Sequence, residues 1–347
     1  MINKDLLRSI VDNLVEKKLK RYGKIIYIDA MNSFMRHWAV NQSLNKDGMH
    51  IGGVYGFLRE LYNIVDNHYP SLIVIAWDGK DARKRRANIF EGYKSNRGGG
   101  LKEHGRRMSE FEQEKPPEQI KEEMIWQATQ LINLLQDLPV LNIHIDECEA
   151  DDIISYLLTT PEAQDAENIV ITTDKDYYQL INKNTTIWSP IKHEWITQQK
   201  IKDDYLLEPS NFIIHKIIDG DKSDGIPGID GISNGKIKKF IAPYLTENNT
   251  VEDLFQICEQ KISESAIYKT ILNNKDIIER NWDLMKLDGS IISNRAKSKI
   301  LDQWKSKKFK LNRAAFIEKL VIMRIFQLFI NINQWLEKFN YLTLIKE

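Results

Sequence analysis

The 347 residues carry 42% hydrophobic, 28% charged and 10% aromatic side chains, a globular composition that excludes whole-chain disorder, collagen-like repeats and low-complexity sequence. Forty-nine Lys and Arg balance 49 Asp and Glu, so bulk charge steers no partner and any useful field must come from segregation of the two signs along the chain. The two cysteines, Cys148 and Cys258, are too few for a disulfide framework and make no CxxC zinc signature, which points to a reducing compartment.

Residues 1–20 mix Asp5, Asp12 and Glu16 with Lys and Arg around Leu6, Ile10, Leu14 and Leu19. That pattern is an amphipathic helix and not an export signal, so a helical extension is expected over 1–22. Short β-rich runs follow at Lys24–Ile28, Leu72–Trp77, Leu141–Ile145, Asn168–Thr172 and Thr185–Trp188, alternating with helix-period segments near 53–66, 118–136 and 149–158. The alternation predicts an α/β domain over 23–210, centred on a parallel sheet flanked by helices. Within it, residues 79–117 are charged, hold Gly98, Gly99 and Gly100 in a row and close on Pro116 and Pro117, and so read as an excursion from the core. After about residue 209 the strand signal disappears, and helical segments with Gly-rich turns predict a smaller α-helical part over 211–347. Its most apolar stretch, Leu320–Ile332, is interrupted by Arg324 and Gln327 and is shorter than the ~20 residues of a membrane span. A buried helix is expected there, in a cytoplasmic protein with no membrane attachment.

Acids stand at the ends of the predicted strands. Asp29 follows the first, Asp78 the second, and Asp174 and Asp176 follow Asn168–Thr172; Glu149, Asp151 and Asp152 open the helix after Leu141–Ile145, and Asp221 and Asp224 lie in a Gly-Asp-Lys-Ser-Asp-Gly turn. In an open parallel sheet the C-terminal strand ends share one edge, where ligands bind. Nine carboxylates at that edge would repel one another unless a cation neutralises them. Oxygen donors in that number select hard divalent ions, with Mg²⁺ or Mn²⁺ as the expected occupant. Two such ions about 4 Å apart would suit in-line displacement at a phosphodiester.

The basic counterpart is residues 80–107, with ten Lys and Arg against three acids, a local excess of +7 in a neutral chain. Lys80, Arg83, Lys84, Arg85, Arg86, Lys94, Arg97, Lys102, Arg106 and Arg107 begin directly after Asp78, so they should overhang the acidic edge and hold phosphates. Tyr93 beside Lys94 and Arg97 offers an aromatic face for a base. A further phosphate-contacting candidate is Ile226–Lys236, where Gly228, Gly231 and Ser233 allow close backbone approach ahead of Lys236, Lys238 and Lys239.

Taken in order, Asp29, Trp77-Asp78, Tyr93-Lys94-Ser95-Asn96-Arg97, Glu149-Ala150-Asp151-Asp152, Thr173-Asp174-Lys175-Asp176 and Gly220-Asp221-Lys222-Ser223-Asp224 resemble the flap endonuclease / 5'-3' exonuclease family over residues 20–245. Ile187-Trp188-Ser189-Pro190 and the helical tail are most similar to its phage ribonuclease H branch, of the T4 type. The resemblance implies a PIN-like, FEN-type core with a helical arch over 79–117 and a helix-three-turn-helix at 224–240. It implies a first metal site of Asp29, Asp78, Glu149 and Asp151, and a second of Asp152, Asp174, Asp176, Asp221 and Asp224. Lys94 and Arg97 would act on the scissile phosphate, Asp151 would be indispensable to catalysis, and Tyr93 would stack on the nucleotide near the cut. Arg83, Arg85, Arg86, Gly228, Gly231, Ser233 and Lys236 would contact nucleic acid, with K⁺ at the helix-three-turn-helix. Ser233 stands where many members of that family have glycine.

The implied activity is Mg²⁺-dependent removal of RNA primers and 5' flaps in replication, by a phage-encoded monomer in the host cytoplasm. Implied partners are DNA and RNA–DNA duplexes with 5' ends, flaps or forks, the replication single-strand-binding protein and the sliding clamp. Alternatives are a PIN-type ribonuclease, which would lack Asp221 and Asp224 as a second-site pair, and a catalytically silent DNA-binding platform, which would have lost acids. His37, His104 and His193 read as packed or solvated side chains, and Trp126, Trp282 and Trp335 as core or partner-facing ones.

Overall fold

The computed structural model describes residues 23–95, 115–306 and 309–344; the expected extension at 1–22 and residues 96–114, Arg97 and His104 among them, lie outside these. Five strands run parallel: β1 (Lys24–Asp29), β2 (Leu72–Asp78), β3 (Leu141–Ile145), β4 (Glu167–Ile171) and β5 (Thr185–Ser189). A short β6 (Glu194–Ile196) pairs antiparallel with β5, giving the order β3-β2-β1-β4-β5-β6. The helices of this α/β part are α1 (Ala30–Val40), α2 (Gly52–His68), α3 (Lys84–Ile89), α4 (Pro117–Leu135), α5 (Ala150–Leu158), α6 (Pro161–Gln164) and α7 (Gln198–Tyr205).

Both faces of the sheet are covered, so the central strands β1 and β2 are apolar at successive positions and not only at alternate ones. Ile26, Ile28, Ile73, Ile75, Ile169 and Ile171 face α1, α2 and α4, while Ile25, Tyr27, Leu72, Val74 and Val170 face α5 on the other side. The arrangement puts the C-terminal ends of β1, β2 and β4 on one edge: in register Asp29 pairs with Ala76, and Asp78 pairs with Ile145 of β3.

The remaining elements are α8 (Phe212–Asp219), α9 (Asn234–Phe240), α10 (Val251–Gln260), α11 (Ala266–Leu272), α12 (Lys275–Met285), α13 (Asn294–Ser306), α14 (Arg313–Ile322) and α15 (Ile332–Glu337). Strand structure does not stop at residue 209: β7 (Gly220–Asp221) and β8 (Ile226–Pro227) form a small antiparallel pair after α8. Gly220 has φ of +77°, and a Cβ there would meet Gly228 N at 2.3 Å, so this crossing admits only glycine. α8, α10, α11 and α12 surround a core of their own that includes Ile213, Ile217, Leu254, Ile271 and Ile278.

Leu320–Ile332 is not one buried helix. α14 ends at Ile322, Arg324 turns the chain at a left-handed φ of +56°, a 3₁₀ turn spans Phe326–Leu328, and Asn331 caps α15 through the Gln334 amide. Val321, Ile322 and Ile330 are exposed, whereas Leu320 and Ile325 are buried. Residues 313–342, grouped by sequence with the helical C-terminal part, pack on α1 and α2 instead: Phe316, Leu320, Trp335, Leu336, Phe339 and Leu342 belong to the same core as Phe34, Phe57 and Leu61. Trp335 lies against Phe316, Phe329 and Phe339, with ring centroids 5.4, 5.7 and 4.7 Å away. Among the described residues, no helix is long and apolar enough to cross a membrane.

Phe339 is fully buried in this cluster, so Phe339→Ala should destabilise the protein by about 3–5 kcal/mol. Urea denaturation of the full chain would measure the loss.

Candidate active site

The strand-end acids have a structural reason to be aspartates. Asp29 caps α1, accepting from the Asn32 amide at 3.0 Å; Asp174 caps the following 3₁₀ turn through the Asp176 amide at 2.9 Å; Asp78 reaches the start of α5, accepting from Ala150 N at 3.0 Å. A short carboxylate satisfies a helix's first free amides and suits its positive end. The same side chains then line a cleft. Asp29, Asp78, Glu149, Asp151 and Asp174 share a cavity of about 430 Å³ with Arg36, Arg83 and Lys94. Asp174 also lines an adjoining cavity of about 610 Å³ with Lys216 and Asp221.

Four cations lie among the acids, Arg85 at 3.1 Å from Asp152 Oδ2 being one. Arg86 is 1% exposed; it donates to Glu149, lies 2.9 Å from Asp152 Oδ1 and 3.5 Å from Asp151 Oδ1, and its Nε donates to the Leu284 carbonyl. Lys94 Nζ is 2.6 Å from Glu149 Oε1 and 3.8 Å from Asp224 Oδ2. Its backbone holds a φ of +51°, and its amide donates to the Asp224 carbonyl at 2.7 Å. Lys216 joins Asp176, at 2.8 Å, to Asp221.

The expected division of ligands changes accordingly. Asp152, assigned by sequence to a second metal site, is 1% exposed, bonded to Arg85 and Arg86, and caps its own helix through the Glu149 amide. It therefore stands with Glu149, facing away from any ion shared with Asp174. Asp224 joins the Lys94–Glu149 group through its carboxylate, while its amide donates to Asp221 Oδ1 at 3.2 Å.

Three expected nucleic-acid contacts, Tyr93, Arg85 and Arg86, are also corrected. Tyr93 is only 6% exposed and its hydroxyl donates to Glu149 Oε2 at 2.7 Å, so its ring packs in the helical core and cannot stack on a base. Arg86, fully enclosed by acids, cannot reach a phosphate, and Arg85 is committed to Asp152 and the Ile291 carbonyl. Arg83 is exposed and lines the acidic cleft. Gly231 and Ser233 are exposed, but Lys236 Nζ donates to the Gly231 carbonyl at 2.6 Å. Gly228 is required by the chain itself, since a Cβ there would lie 2.2 Å from the Asp219 carbonyl oxygen.

Sequence reasoning missed Tyr177, whose hydroxyl donates to Asp29 Oδ2 at 3.2 Å, and Lys216. It also missed the contacts of His37, which lies 3.1 Å from Glu60 Oε2 beside Arg36. The signal for Lys216 was a lone Lys in an otherwise apolar helix, Phe-Ile-Ile-His-Lys-Ile-Ile-Asp, immediately before Gly220-Asp221.

The electrostatics fit a hard cation. Burial, with the Asp78 charge next, pushes the Asp29 carboxyl up to about 6; burial and then Asp176 push Asp174 up to about 7; and burial lifts Asp151 well above the carboxylate range against the pull of Arg86. Burial would raise Glu149 too, but Arg86 and Lys94 hold it down at about 2. Acids that resist ionisation in the protein alone are those a divalent ion would ionise. Among the described residues no three carboxyl, imidazole or thiol groups are gathered tightly enough to enclose an ion.

A carboxyl whose pKa is raised by folding contributes stability that is fully present below its unfolded value, 3.8 here, and lost as pH rises through the folded value. The metal-free protein should therefore lose stability between about pH 4 and pH 7 on account of Asp29 and Asp174. Mg²⁺ should raise the melting temperature more at pH 7.5 than at pH 5, read by calorimetry with and without the ion.

Residues 24–206 match the family model described as the 5'-3' exonuclease N-terminal, resolvase-like domain. The 5'-3' exonuclease of Halalkalibacterium halodurans is 26% identical over 218 residues, covering 62% of this chain and 64% of that protein, so the chain spans just under two thirds of that relative's length. Two solved structures share the fold. A bacteriophage T5 protein co-crystallised with metal ions superposes with a TM-score of 0.60 at 15% identity, covering 86% of this chain and 99% of that one. Flap endonuclease-1 from Methanococcus jannaschii gives 0.56 at 13% identity, covering 94% and 95%.

Proposed function

Because the chain belongs to the 5'-3' exonuclease family, we propose that it is a Mg²⁺-dependent 5' nuclease that hydrolyses phosphodiester bonds at 5' ends, flaps and RNA-primed junctions of duplexes during DNA replication. The observation that carries this reading is the cleft in which Asp29, Asp78, Glu149, Asp151 and Asp174 face Lys94 and Arg83. Acids for hard cations and cations for phosphate meet there in one volume.

Divalent ions held by those acids would supply Lewis acidity to a phosphodiester. Asp29, Asp78, Asp151 and Asp174 would hold them, each fixed in orientation by a backbone amide at one oxygen, in Asp151 by the Asp152 amide at 2.7 Å. Asp176 and Asp221, joined by Lys216, would serve the adjoining cavity, through water. Lys94 Nζ reaches into the cleft from a backbone pinned to Asp224, where it would donate to a non-bridging phosphate oxygen and offset charge in the transition state. Arg97, three residues on, is proposed as its companion, and Arg83 as an anchor for a neighbouring phosphate. The exposed turn Gly231–Ser233 and the lysines of α9 would hold the duplex beyond the cut. The T5 protein's co-crystallisation with metal ions supports the choice of cofactor class. The replication single-strand-binding protein remains the proposed protein partner.

The test is cleavage of an end-labelled 5'-flap duplex and a matched RNA-primed duplex, with Mg²⁺ or EDTA, and with the 5' end free or blocked. Metal-dependent cuts at the junction that need a free end are expected. Binding without product would instead mark a silent platform, and end-independent cutting of single-stranded RNA a PIN-type ribonuclease. Asp151→Asn should reduce cleavage to background while leaving binding intact or tighter, because it removes a metal-holding oxygen and no phosphate contact; wild-type cleavage by this variant would sink the metal assignment. Lys94→Ala should lower kcat by about 10²-fold, with a smaller change in affinity measured by fluorescence anisotropy in Ca²⁺.

A further inference from the structure

The three groups of acids arise on separate segments of chain, yet one helix touches the support of each. α12 ends at Met285, and the last carbonyls of a helix have no partner within it and carry partial negative charge. Two consecutive carbonyls here receive donors from two different acid-bearing segments. Arg86, which grips Glu149 and Asp152, donates its Nε to the Leu284 carbonyl at 2.9 Å. Gln179, on the 3₁₀ turn that follows Asp174, donates to the Met285 carbonyl at 3.0 Å and to the Asp176 carbonyl at 2.9 Å, and accepts from the Leu287 amide at 3.0 Å. One turn earlier, the fully buried Asn281 donates to the Ile217 carbonyl of α8 and to the Pro227 carbonyl of β8, each at 2.9 Å. Ile217 directly follows Lys216, and the stretch from Ile217 to Pro227 contains Asp221.

We infer that the C-terminal half of α12 is a positioning clamp, which sets the separation between the Glu149–Asp151 group and the Asp174–Asp176 group and so sets the affinity of the site for divalent ions. This rests on the nuclease reading and deepens it. None of Gln179, Asn281, Leu284 and Met285 lines either acidic cavity. Gln179 is a positioning residue because both amide hydrogens and the amide oxygen are used in tying the Asp176 backbone to α12. Without it the turn bearing Asp174 and Asp176 is held to α12 by no other hydrogen bond among those described, and the carboxylates it carries gain freedom to separate. Groups that orient metal ligands in this indirect way typically account for 10–100-fold in affinity or activity.

The test uses the full chain and Mn²⁺ alone as the probe. Mn²⁺ binding is followed by electron paramagnetic resonance or calorimetry without nucleic acid, beside a thermal melt to establish folding. Gln179→Ala should weaken Mn²⁺ about 10-fold or more and lower kcat on the flap duplex with KM little changed. Glu279→Ala, an exposed change on the same helix, should do neither. Should Gln179→Ala fail to fold, Gln179→Glu removes both donors while retaining the acceptor for Leu287 and should weaken Mn²⁺ likewise. A folded Gln179 variant that binds Mn²⁺ as tightly as wild type, with unchanged kcat, overturns the clamp and leaves the nuclease reading standing. A wild-type chain that binds no Mn²⁺ overturns the nuclease reading and the clamp together.

Discussion

Mutual repulsion of carboxylates at one end of a sheet is the constraint around which the rest of this molecule is arranged. Four cations answer it from within the chain: Arg85 at Asp152, Arg86 among Glu149, Asp151 and Asp152, Lys94 between Glu149 and Asp224, and Lys216 between Asp176 and Asp221. They come from separate stretches of chain, so compensating the acids also decides how those stretches pack. Where no cation is in contact, at Asp29 and Asp174, burial leaves the carboxyl reluctant to ionise. The acids thus differ in kind: Glu149 is held ionised by the cations around it, whereas burial keeps Asp29, Asp151 and Asp174 reluctant to ionise. An ion pair as enclosed as Arg86 with Glu149 is a weak source of net stability, yet breaking it would strand a charge in the interior. Its contribution is to placement.

That division explains why the basic segment does two jobs. Of the cations between 80 and 97, Arg85 and Arg86 point inward and hold acids, Arg83 stays exposed at the cleft, and Lys94 belongs to both sets. A positive local charge count sees one patch. The fold uses part of it as cement and leaves the rest for a ligand.

Much of the architecture was legible because the parallel strands are buried on both sides. Runs such as Ile25-Ile26-Tyr27-Ile28 and Leu72–Trp77 admit little else, and an aspartate at the end of such a run is conspicuous. β6, β7 and β8 were not legible, since pairings of two or three residues impose no periodicity. The grouping of the acids was only partly so. Asp151 and Asp152 are neighbours in sequence, but successive side chains on a helix point about 100° apart, which turns Asp151 to the cleft, 3.5 Å from Arg86, and encloses Asp152 between Arg85 and Arg86. Tyr93 was misread because an aromatic beside Lys and Arg has the same composition whether its ring meets a base or a core. Gln179 and Asn281 carry no signal at all, as their importance lies in the backbone atoms they bind.

The closure of the α1–α2 face by residues 313–342 bears on how the chain acquires its structure. Phe34 and Phe57 share a core with Phe316 and Phe339, across nearly the whole length of the described chain. Contacts so distant in sequence demand large loop closures before any reward, which slows folding. During synthesis α1 and α2 must emerge with one apolar side uncovered, and it stays so until α14 and α15 leave the ribosome. The acidic edge, whose supports end with α12 and the Ile291 carbonyl, does not wait for that last segment.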